Sequence, residues 1–220
     1  MFLGHFGLAL AAKPRQLQLR VSLGTLFLAA QLADVLWPTL LLLGVERVNI
    51  VPGLMAASPF DFAYYPFSHS LLAQVLLGAA LGLGYGLLRR NWHGALLVGL
   101  LVPSHWLLDL PMHRPDLPLY FGFSPKEGLG LWNYPTATLL LELGLLAAGL
   151  WVYVRRTRPR TRAGRYGLWA LGLLLVASYL GAEFAPPPAS VPALAWSGQL
   201  LWLFVALGYW VDARREAVTG

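Results

Sequence analysis

The chain has no cysteine and little charge. With no Cys among its 220 residues, disulfides and thiolate metal sites are excluded, and cysteine usage leaves the redox compartment open. Any metal site must therefore use imidazole and carboxylate. Charged residues make up 12% of the chain, about half of the ~25% usual for a soluble domain. Hydrophobic residues make up 57% and the mean hydropathy is +0.59. That is the composition of an integral membrane protein, and the length suits one domain, residues 1–220. A net charge of +6 would point to nucleic acid in a soluble protein. Here the basic residues fall between apolar segments, so membrane topology accounts for them and no nucleic-acid partner is expected. Internal repeats are absent, and the one low-complexity stretch is the basic 155–165 loop, RRTRPRTRAGR.

A membrane-crossing helix needs about 20 mostly apolar residues. Six segments qualify: 21–44, 68–88, 92–110, 135–154, 166–184 and 192–211. Residues 2–12, FLGHFGLALAA, are too short to cross alone. They could pass for a signal-peptide core, but a basic n-region is missing and a His interrupts the run, so they are expected to stay as a short helix. The expected fold is all-α: a polytopic membrane helical bundle of six full spans plus a short N-terminal helix. Charge and proline mark the ends, at Lys13-Pro14-Arg15, Pro66, Arg89-Arg90, Pro111, Pro135 and Pro186-Pro187-Pro188.

Lys and Arg set the expected orientation. Lys13, Arg15, Arg20, Arg89, Arg90, the six Arg of 155–165, Arg214 and Arg215 fall in one set of connections, thirteen of the 16 Lys and Arg. The other set holds Arg47, Arg114 and Lys126. The first set is assigned to the cytoplasm, so the 45–67 and 111–134 loops face outward. A bacterial inner membrane is the expected location.

The outward side is where histidines and acids gather. Residues 104–116 read S-H-W-L-L-D-L-P-M-H-R-P-D. His105 and Asp109 are four apart near a helix end, so they share one face and can address one ion or one polar cavity. Pro111 ends the helix, and His113 follows. His5, Asp34 and His69 also sit in apolar surroundings, where ionisable groups are costly and mark function. Imidazole with carboxylate suits a divalent ion, Zn²⁺ first, with Mn²⁺ or Mg²⁺ as alternatives. Such an ion with an open position could activate a water. His93 serves as a contrast, because twelve residues at ~1.5 Å put it about 18 Å from His105 on one helix.

Each residue also has a plainer reading. His105 with Asp109 could be a structural pair, His5 a packed side chain, and Asp34 a partner for a neighbouring helix. His113 stays open, and Glu142 reads either as a partner of a ligand or as an interhelical hydrogen bond. Asp116 and Glu127 read as solvated loop acids and Glu183 as interfacial.

The order His5, Asp34, His69-Ser70, then Ser104-His105-Trp106-Leu107-Leu108-Asp109 resembles the YdjM-like membrane-bound metal-dependent hydrolases, a family regarded as distantly related to zinc-dependent phospholipase C. The likeness covers residues 1–125, and the Ser-His-Trp-Leu-Leu-Asp segment is its most specific part. Residues 135–220, the three further spans, carry little motif information. The resemblance implies that His5, Asp34, His69, His105 and Asp109 are metal ligands or their immediate partners. It also implies hydrolysis of a phosphoester, such as one in a lipid head group, with Asp34 taking a proton from a metal-activated water. Two positions depart from the family pattern. Ala33-Asp34-Val35-Leu36 keeps one acid where the family has two, and Tyr64-Tyr65-Pro66-Phe67 lacks a His that commonly precedes the third motif. Both favour fewer ions than a multi-metal cluster, with Asp61 a candidate substitute for the missing acid.

The expected function is a membrane-embedded metal-dependent hydrolase with its site near the outer face and membrane lipid around it. A metal-ion or proton transporter is one rival, and a non-catalytic scaffold using the basic 155–165 loop is another. Substrate identity and oligomeric state are not encoded in any motif.

Overall fold

A computed structural model describes residues 1–13 and 20–218. Pro14 and Arg15, part of the first boundary and of the basic set, lie outside the described residues.

The first helix, α1 (Leu3–Ala11), is buried at seven of its nine positions. A helix that is apolar on every side belongs in an interior, and α1 lies in the centre of the bundle. It packs on α2 (Leu23–Ala30) and on α8 (Pro135–Arg156). The approach to α8 depends on two glycines: a Cβ on Gly7 would fall 2.4 Å from the Leu145 carbonyl oxygen, and one on Gly149 would fall 2.1 Å from that of Gly7. Around this axis Phe6 meets Phe27 and Phe204 edge-to-face, at ring separations of 4.8 and 5.5 Å.

Six full spans are not what forms. Four segments are long and apolar enough to cross a membrane: α5 (Leu71–Arg89), α8, α9 (Arg162–Phe184) and the stretch Val191–Asp212, which comprises α10 (Val191–Gly198) and α11 (Leu201–Asp212). A fifth is reached if α2 and α3 (Leu32–Leu42), bent by 57° at Gln31, count as one broken span. The expected span at 92–110 divides into α6 (Trp92–Leu101) and α7 (Ser104–Asp109). Pro103 lies between them and has no N–H to carry a helical ladder onward. Likewise the helix expected from residue 68 divides. Short α4 (Pro66–His69) ends at Ser70, whose hydroxyl caps α5 by accepting from Ala73 N–H at 3.1 Å.

An all-α description is also incomplete. The 45–67 segment forms an antiparallel hairpin, β1 (Arg47–Met55) with β2 (Ser58–Tyr64). Its β-branched and aromatic residues fit a pleated surface, and Phe60 and Phe62 pack with Trp37, Tyr65, Trp106 and Trp132 at one end of the bundle. The short β3 (Leu117–Pro118) pairs with β4 (Lys126–Glu127). At the basic end, β5 (Thr157–Pro159) pairs with β6 (Arg215–Ala217), so the 155–165 stretch is the end of α8, a strand and the start of α9 rather than a loop.

Candidate metal centre

The five residues expected to meet come from four separate elements. His5 lies in the first turn of α1, Asp34 in the first turn of α3, His69 ends α4, and His105 and Asp109 lie on α7. They form two overlapping groups, His5–His105–Asp109 and Asp34–His69–His105, each with ligand atoms within 4.8 Å of one another, and each group could hold a metal ion. The contacts run as a chain. His5 Nε2 lies 3.1 Å from Asp109 Oδ1, and His105 Nε2 lies 3.1 Å from Asp109 Oδ2 and 3.7 Å from Asp34 Oδ1. His69 Nε2 lies 3.2 Å from the same Asp34 oxygen. The His5 and His105 rings stack at 3.7 Å. The Met1 amine also approaches Asp109 Oδ1, at 2.6 Å.

Hydrogen bonds behind the cluster decide which ring nitrogens carry hydrogen. His105 Nδ1 lies 2.8 Å from the Ala30 carbonyl. A carbonyl only accepts, so Nδ1 donates and Nε2 of the neutral ring keeps its lone pair. Ala30 is available because α2 ends there, at the bend, leaving its carbonyl at a helix C-terminus.

His69 is set by a longer relay. The Ser68 hydroxyl donates to Glu46 Oε2 at 2.6 Å and lies 2.7 Å from His69 Nδ1. Its single hydrogen is used on Glu46, so toward His69 it accepts, and His69 Nε2 is also a lone pair. Glu46 is buried and accepts from the Phe67 and Ser68 N–H groups as well.

His113 repeats the pattern at the margin. Its Nδ1 donates to Asp116 Oδ1 at 2.9 Å, and its Nε2 faces Asp109 Oδ2 at 3.9 Å. Burial pushes the His113 imidazole below its ordinary value, outweighing the pull of Asp116 and Asp109.

Lone pairs therefore face carboxylate oxygens across the cluster. For His105 Nε2 neither carboxylate contact has hydrogen-bond geometry, and the atom is buried without a partner among the described residues. Leaving such an atom unsatisfied costs about 1–3 kcal/mol. A divalent cation offsets both that cost and the repulsion between lone pairs and carboxylates, so these donors fit a metal. Since His105 Nδ1 is committed to Ala30, His105 can give only one ion a nitrogen. Asp34 is the most accessible of the five, with 21% of its side chain exposed against 0–5% for the others.

The remaining candidates fall outside. His93 is exposed near the start of α6, and no potential metal group among the described residues includes it. Asp61 pairs with Arg114 and accepts from Asn49, so it does not replace a missing acid in the cluster. Glu142 accepts from the Phe2 and Gly4 N–H groups, both at 2.8 Å, and so fixes the entry of α1 and the height of His5. Asp116 is buried rather than solvated, because His113 and Arg114 hold it, whereas Glu127 is exposed. Glu46 was not anticipated. Its only sequence signal is one acid in the apolar turn Leu-Gly-Val-Glu-Arg-Val, and it reaches Ser68 only because the hairpin pairs Arg47 with Tyr64.

No family model matches the chain, and neither a curated protein nor a solved structure does, so its function has to be read from this arrangement of side chains.

Proposed function

We propose that the protein is a membrane-embedded metal-dependent hydrolase acting on a phosphoester or lipid-like substrate. The observation that carries this reading is the tautomer locking of His69 and His105, which turns two buried Nε2 lone pairs onto the Asp34 and Asp109 carboxylates. Asp34, His69 and His105 would hold one divalent ion, Zn²⁺ by the chemistry of the donors, with Asp109 Oδ2 closing the set. His5 holds Asp109 from its other side. A bound ion of this kind supplies Lewis acidity and makes a water acidic enough to ionise near neutral pH.

The chain's own part is to bury His5, His69, His105 and Asp109 and leave Asp34 accessible. Asp34 Oδ1 faces the histidines, and Oδ2 has no hydrogen-bond partner among the described residues, so it is free to accept a proton from an attacking water. The motif likeness to the YdjM-like hydrolases points the same way, and the bias of Lys and Arg argues for a site facing outward from a bacterial inner membrane. A transport path would need polar groups continuing toward the arginine-rich end. The residues of α1 beyond His5 and of α2 beyond Thr25 are apolar, which counts against that rival.

Elemental analysis of detergent-purified protein tests the centre. Zn²⁺ or Mn²⁺ near one per chain, lost in His105→Ala and kept in His93→Ala, is the expected result. Hydrolysis of bis-p-nitrophenyl phosphate should then disappear in Asp34→Asn while the fold survives. Absence of metal after loading with divalent ions would refute the reading, and full hydrolysis by Asp34→Asn would remove Asp34 from its role.

A further inference from the structure

A cavity lies at the other end of α5. That helix begins two residues after His69 and ends at Arg89, so its 19 residues at ~1.5 Å each separate the two ends by about 27 Å. This cavity, of about 1090 Å³, lies between the end of α5, the start of α2, the end of α11 and the β5–β6 pair. Its rim and its depth differ in chemistry. Six basic side chains line it, Lys13, Arg20, Arg89, Arg158, Arg160 and Arg215, against two carboxylates, Asp212 and Glu216.

The pairing among them leaves positive charge in excess. Lys13 is taken by Asp212 at 2.6 Å, and Arg215 is buried on Thr157 and Gly164. Arg158 and Arg160 share the single carboxylate of Glu216, at 2.7 and 3.9 Å, and both guanidinium groups remain largely exposed. Arg89 forms no ion pair among the described residues. Leu88 stands exposed at the rim beside Arg89, and further along α5 and α2 the wall turns apolar, with Leu28, Ala80 and Leu81. From Arg89 back to Leu81 is eight residues, or about 12 Å of helix. Tyr85 and Tyr209 stand between the two zones.

A small soluble anion would use the rim and leave the apolar wall wet. A neutral lipid would use the wall and leave the arginines unmatched. We infer that this cavity binds an anionic phospholipid, with the head-group phosphate on Arg89, Arg158 and Arg160 and the upper acyl chain along Leu28, Leu81 and Leu88. Basic residues at a membrane surface favour anionic head groups, and arginine suits phosphate because its planar donors engage two oxygens together. The site stands apart from the metal centre and does not depend on what that centre does.

Gly84 gives a clean way to close the cavity. It lines the space, and a Cβ placed on it meets nothing within 4 Å, so Gly84→Trp fills the apolar depth without disturbing a helix contact. The test compares full-length protein in neutral detergent with dioleoylphosphatidylglycerol and dioleoylphosphatidylcholine, reading lipid retained per chain by native mass spectrometry. Wild type should retain the anionic lipid at least about fivefold over the zwitterionic one. The double variant Arg89→Gln/Arg160→Gln should bring that ratio near one, and Gly84→Trp should reduce retention of both lipids. Equal retention of the two lipids by wild type would overturn the proposal, and so would a preference that survives both variants. Inorganic phosphate that displaces the lipid from wild type, and binds equally to Gly84→Trp, would assign the rim to a soluble anion and overturn the lipid. The two variants act through different atoms, so misfolding of one leaves the other decisive.

Discussion

Ser68 has one hydrogen to give, and the direction in which it points sets the chemistry of His69. Glu46 draws that hydrogen toward itself, so His69 must donate from Nδ1 and present Nε2 to Asp34. Glu46→Gln turns the relay around: its amide donates to Ser68, Ser68 donates to Nδ1, and the ring hydrogen moves to Nε2. Metal affinity should fall about 10–100-fold, the usual effect of losing a hydrogen bond behind a ligand. Ser68→Ala should weaken binding by a similar factor through loss of orientation alone. Competitive chelator titration measures both, and ¹⁵N chemical shifts of the His69 ring should show the tautomer reversed only in Glu46→Gln. Unchanged affinity in both variants would show that the relay does not govern the site. His69 and Asp34 were legible in the sequence because a charged residue in an apolar run is conspicuous. Glu46 and Asp116 were not, since each looks like an ordinary loop acid until a hairpin or a neighbouring His encloses it.

At the scale of elements, the centre depends on where helices stop. A continuous 21–44 helix would use the Ala30 carbonyl in its own ladder, and the break at Gln31 releases it for His105. Hydropathy averages over a window, so it reports that a segment is apolar and not that it is bent. For the same reason it merged α6 with α7, although Pro103 stood between them in the sequence. The i, i+4 spacing of His105 and Asp109 survived because it needs only the six-residue α7. The other element that matters is α1, held on α8 by Gly7 and Gly149. Gly149→Val should cost about 1–3 kcal/mol through overpacking and should lower metal occupancy by displacing His5. Gly144→Val, where an added Cβ meets nothing within 4 Å, should leave both unchanged. Thermal melts with metal analysis on the two variants compare them directly, and equal behaviour would mean that the α1–α8 contact is looser than the glycines indicate.

For the whole molecule, ion binding should be visible as stability, since a ligand that binds only the folded state stabilises it. At a free ion concentration about 100-fold above Kd the gain is about 2.7 kcal/mol. For a chain of 220 residues that corresponds to a rise in Tm of about 5–11 °C. Tryptophan fluorescence melts with Zn²⁺ and with EDTA should differ by this amount in wild type and His93→Ala, and should coincide in His105→Ala. A shift that persists in His105→Ala would place the ion elsewhere.

The position of α1 also has a consequence in time. Its N-terminus is held by Glu142, a partner 138 residues away from Gly4 in the chain. At about 5–20 residues per second, a ribosome needs roughly 7–28 s to reach that partner. Asp34, His69, His105 and Asp109 all emerge before it, so four of the five donors can meet while α1 still lacks its seat on α8. Occupation of the centre and completion of the bundle are therefore separable events during synthesis, and an ion captured early would give α1 a preformed surface on which to close.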